Sequence, residues 1–152
     1  MKKIILALLL VTASYNSFSQ SCEERESKLL ETIGSFSAGM LYNTYGLIGS
    51  ISDGYTHDAY SPATVNELME PQKKVADNLI KVVEELINTN MFNAPEDKDY
   101  AATIIKILKG LSNQAQLLQN YTTHKIRQNQ EAYENQRKQN WSAISKLMGI
   151  EE

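Results

Sequence analysis

Three side chains able to hold a metal ion or move a proton fall in one short stretch of this chain: Asp53, His57 and Asp58, within Asp53-Gly-Tyr-Thr-His-Asp-Ala-Tyr60. An imidazole flanked by two carboxylates suits a weak cation site, and His57 beside a carboxylate is the minimum for general acid or base work. The same residue types also suit a helix end, since Asp and Gly favour turns and Asp58 can cap local amides. An ordinary loop is the simpler expectation, and a small-ligand or weak metal site at Asp53, His57 and Asp58 is the alternative.

The rest of the chain offers little chemistry. Its histidines number 2 and its cysteines 1. Di-iron bundles use Glu-x-x-His pairs and covalent haem needs Cys-x-x-Cys-His, and neither pattern occurs. A single cysteine excludes a thiolate zinc set. No Gly-x-Ser-x-Gly elbow and no Gly-Lys-Ser/Thr phosphate loop is present. No catalytic set, metal or cofactor is expected, and the chain reads as a non-enzyme. Arg137 shares a helix face with Tyr133, Trp141 and Ile144. It is read as resting its stem on the core with its head in water, or else as a buried partner for a carboxylate or a cation stacked on Trp141.

A second feature is a line of small residues. Ser35, Gly39, Gly46 and Gly49 recur at helical steps with Tyr42 on the same line and Asp53 at its end. Beside it runs an apolar stripe, Leu30, Ile33, Phe36, Met40, Leu47, Ile48 and Ile51. Each glycine costs roughly 1 kcal/mol against alanine inside a helix, so packing must offset it. The expectation is a central helix whose small face (Ser35, Gly39, Tyr42, Gly46, Gly49) lets a neighbouring backbone approach. The alternative is a groove for a peptide, a second copy or a lipid tail.

The start of the chain carries the strongest signal of all. Lys2 and Lys3, the apolar run Ile4 to Val11 and the polar stretch Thr12 to Ser19 have the layout of a secretory signal peptide over residues 1–19, cut before Gln20. As a helix the apolar run rises only about 12 Å, against a hydrocarbon core of roughly 30 Å, so it is not expected to be a membrane anchor. The mature chain, 20–152, is expected to be exported to the periplasm or the medium, with no transmembrane segment. Cys22 offers a lipid-attachment alternative, although a polar gap separates it from Val11. Removing Lys2 and Lys3 takes the formal charge from -3 to -5. With no basic stripe, nucleic acid is not an expected partner; another protein or a second copy is.

Stepping through the mature chain, apolar residues recur at helical spacing and no stretch alternates with the period of a strand. Punctuation predicts helices near 23–53, 62–91, 94–121 and 125–148. Asp53-Gly54 ends the first, Ser61-Pro62 opens the second, and Asn93-Ala-Pro-Glu96 opens the third with the spacing of a capping box. In the second helix Val65, Leu68, Gln72, Val75, Leu79, Val82 and Leu86 form the predicted core stripe, with Met69, Ala76, Ile80, Val83 and Ile87 alongside. The phase survives Pro71, which predicts one kinked helix. Thr122-Thr-His-Lys125 is the weakest helical stretch and predicts a hairpin near His124. The expected fold is an all-α, up-down-up-down four-helix bundle following the cleaved signal peptide, as a single domain. A three-helix bundle with one long C-terminal helix is the alternative. The polar start of the last helix, Gln128 to Asn140, is expected to be its loosest part. The plan loosely resembles exported helical components of secretion or conjugation machinery.

Overall fold

A computed structural model describes residues 22–92 and 94–150. Among these residues there are four α-helices and no strand: α1 (Cys22–Thr56), α2 (Pro62–Asn88), α3 (Pro95–Thr123) and α4 (Arg127–Met148). The expected signal segment, with its cleavage point, lies outside the described residues. The chain divides between Phe36 and Ser37 into two compact units. In the first, Thr32 and Ser35 turn their hydroxyls back to the carbonyls of Lys28 and Glu31, and Leu29, Ile33 and Phe36 are exposed.

In the second unit the four helices pack on one core, and cross-helix bonds give their directions. From α2 to α3, Lys73 reaches Gln116, Asp77 accepts from Ser112, and Glu84 pairs with Lys109. Rising numbers on one side meet falling numbers on the other, so α2 and α3 are antiparallel. Asn113 with Gln136 and Asn120 with Asn129 give the same sense for α3 and α4. Tyr45 meets Trp141 while Asp53 meets Arg137, so α1 runs against α4. The hairpin expected near His124 is present at His124–Ile126, which excludes a single long C-terminal helix.

Local chemistry explains most boundaries. Ser61 is the N-cap of α2, its hydroxyl accepting from Thr64 N–H at 3.1 Å, with Pro62 in the tolerated first turn. α2 continues through Pro71. At its far end α4 stops on Gly149 at φ 65, a left-handed position suited to glycine. Two boundaries differ from expectation. The N-cap of α3 is Ala94, with no side-chain cap, one residue past the expected Asn93, which lies outside the described residues. α1 also runs past Asp53-Gly54 to Thr56. Gly54 is not a left-handed cap. A methyl there would collide with the Tyr60 ring, which folds back over it while Asp58 takes the left-handed turn at φ 58.

Burial corrects three assignments. The central helix is α3, not α1: Ile104, Ile107, Leu108, Leu111, Ala115 and Leu118 are all buried along it. In α1 the buried line is Leu41, Ile48, Ile51 and Tyr55, whereas Phe36 and Leu47 of the expected stripe are exposed. In α2 the wide stripe expected to face the core is fully buried along one side only. Val65, Met69, Ala76 and Ile80 are buried, while Leu68, Val75, Val82 and Leu86 are exposed. Adjacent positions on a helix differ by about 100°, so a stripe chosen one residue off lies on the flank.

Candidate functional site

The loop after α1 does not gather its chemical groups. His57 is exposed, and its Nδ1–H donates to the Asp53 backbone carbonyl at 2.8 Å. The Asp53 carboxylate instead faces α4, 3.8 Å from the Arg137 guanidinium. Asp58 is occupied with the turn, its N–H donating to the Tyr55 carbonyl. Among the described residues no group of three His, Cys, Asp or Glu side chains is placed to hold a metal ion. The loop is tied by local bonds, as a helix end requires.

Asp53 belongs to a seam between α1 and α4. The Arg137 guanidinium lies over Gly49, where a Cβ would stand 3.4 Å from it. Burial opposes its charge, but the Tyr45 hydroxyl, Tyr133 and Asp53 together outweigh that and hold the guanidinium above its usual value. Arg137 does meet a carboxylate, but the pair is loose, with Asp53 exposed and Arg137 only partly buried. Trp141 sits between Tyr42 and Tyr45, with ring centroids 6.3 and 5.7 Å away. Such tilted aromatic contacts join the helices without a close backbone approach. Correspondingly, a Cβ built on Gly39 or Gly46 meets nothing within 4 Å. The expected close packing of another helix of this chain against Ser35, Gly39, Tyr42, Gly46 and Gly49 is therefore corrected. Tyr42 serves Trp141, Gly49 makes room for Arg137, and Gly39 and Gly46 face open space.

The close approach occurs elsewhere, at Gly110 of α3, where a methyl would collide with the Asn140 side-chain oxygen. Asn140 is buried in a relay of amides: Asn113 donates to Gln136, Gln136 to Asn140, and Asn140 to Gln114 at 2.8 Å. This relay bonds the last part of the polar stretch of α4 to α3, while Asn129 ties its beginning to the Asn120 and His124 carbonyls. Nearby, Tyr133 is fully buried, and burial pushes its phenol above the usual 10.0. Its hydroxyl lies near Ser52 and Gln114 but completes a hydrogen bond with neither, and Gln114 Nε2 is equally unpaired. The sequence held a signal for this layer. Gln114 keeps the phase of Leu111 and Leu118, and Asn140 that of Tyr133 and Ile144.

A polar recess of about 300 Å3 lies between α2 and α3, lined by Asn66, Glu70, Gln116, Gln119, Asn120, Thr123 and His124. Lys73 Nζ donates to Glu70 at 3.0 Å, Gln116 at 2.6 Å and Gln119 at 3.2 Å. The Gln119 amide and then Lys73 hold the Glu70 carboxyl below its usual 4.5. The Lys73 and Glu70 charges are paired within the recess, which clamps the two helices together.

The least satisfied surface is apolar. Leu68, Val75, Val82 and Leu86, with half-buried Leu79 between them, run along α2 on the flank opposite Lys73, Asp77 and Glu84, which face α3. Val75 is 52% exposed and Val82 54%. Among the described residues no helix is long and apolar enough to cross a membrane. A scan against protein-family models finds no match, and neither the curated proteins nor the solved structures yield one.

Proposed function

We propose that this chain is a non-catalytic, exported interaction protein, an accessory or structural part of the cell envelope or of a secretion or conjugation apparatus. The observation that carries the reading is the exposed stripe of α2. Five branched aliphatic side chains on one line of the helix, spaced seven, four, three and four residues with Gln72 in the wider gap, cost roughly 25 cal/mol per Å2 of apolar surface left in water. Contiguous apolar surface of that kind marks an interaction face, and its spacing is that of a helix expecting another helix. The exported location rests on Lys2, Lys3 and the run Ile4 to Val11. A ligand or metal role for Asp53, His57 and Asp58 gains no support, since the Asp53 carboxylate and the His57 ring turn to different partners and Asp58 stands in the left-handed position of the turn.

Photo-crosslinking from position 82 in the native host tests the proposal. A discrete protein adduct from Val82, absent from the outward-facing position Lys81, is expected. Equal or absent labelling at both would remove the interaction face. Intact mass of the same protein, expected to begin at Gln20 without a lipid on Cys22, tests export; a chain retaining Met1 would overturn it.

A further inference from the structure

We draw no further inference here: the strongest candidate, the exposed apolar stripe along α2 from Leu68 to Leu86, already carries the interaction reading, and nothing in the structure shows what covers it.

Discussion

Single residues in this protein behave according to what stands beside them, and glycine shows it most clearly. Gly46 faces open space, so Gly46→Ala should raise stability by about 1 kcal/mol through helix propensity alone. Gly110→Ala should cost about 1 to 3 kcal/mol, because the obstructing Asn140 is held by Gln114 and Gln136 and cannot give way. Thermal melts of the two variants should move in opposite directions. Tyr133 makes a second case. Its buried hydroxyl has no partner, so Tyr133→Phe should gain about 1 kcal/mol at neutral pH. The folded-state phenol titrates above the unfolded value of 10.0, so the preference for folding is complete below pH 10.0 and is lost as pH rises through the folded value. Wild type should therefore lose stability in strong alkali, and the Phe variant should lose less, by denaturant titration across that range. Glu70 has the opposite sign. Its carboxyl is held below 4.5, so the stability it confers is present above pH 4.5 and fades as pH falls through the folded value. Glu70→Gln should flatten that acid limb.

At the scale of elements, the informative case is α2, which carries two apolar stripes one residue apart in phase. Periodicity alone reports that both exist; it does not say which one meets α3. The polar residues decide. Lys73, Asp77 and Glu84 bond to Gln116, Ser112 and Lys109, and these bonds rotate α2 so that Met69, Ala76 and Ile80 point inward. Ile80→Ala should cost about 2 to 4 kcal/mol by leaving a cavity, whereas Val82→Ala should change the stability of the monomeric fold by less than about 0.5 kcal/mol. Chemical denaturation of both, at concentrations where the chain is monomeric, separates the two faces. α1 repeats the lesson: its glycines suggested close packing, but bulky Tyr42, Tyr45 and Trp141 hold α1 and α4 apart.

For the whole molecule, α3 should exchange its amide hydrogens most slowly, because it is the helix surrounded by the other elements. Uniform protection of α1 and α3 would contradict that layering. Helical class, the number of helices, the Ser61-Pro62 start and the turn near His124 were legible in the chain, because each depends on neighbours within one or two turns of helix. Ser61 reaches only to Thr64, and Thr122-Thr-His-Lys125 weakens a helix by itself. The loop residues Asp53, His57 and Asp58 were legible as a cluster in sequence, yet only the fold shows that Asp53 turns to Arg137 and His57 to a backbone carbonyl. The same holds for Gly110 with Asn140, for the amides joining Gln114 to Gln136, and for the inward face of α2. Those features depend on residues more than twenty positions apart, whose contact is set by the rotation of each helix about its own axis. Local periodicity defines that a helix has an apolar flank, but the rotation is settled only when polar pairs and side-chain volumes on the neighbouring helices are brought together.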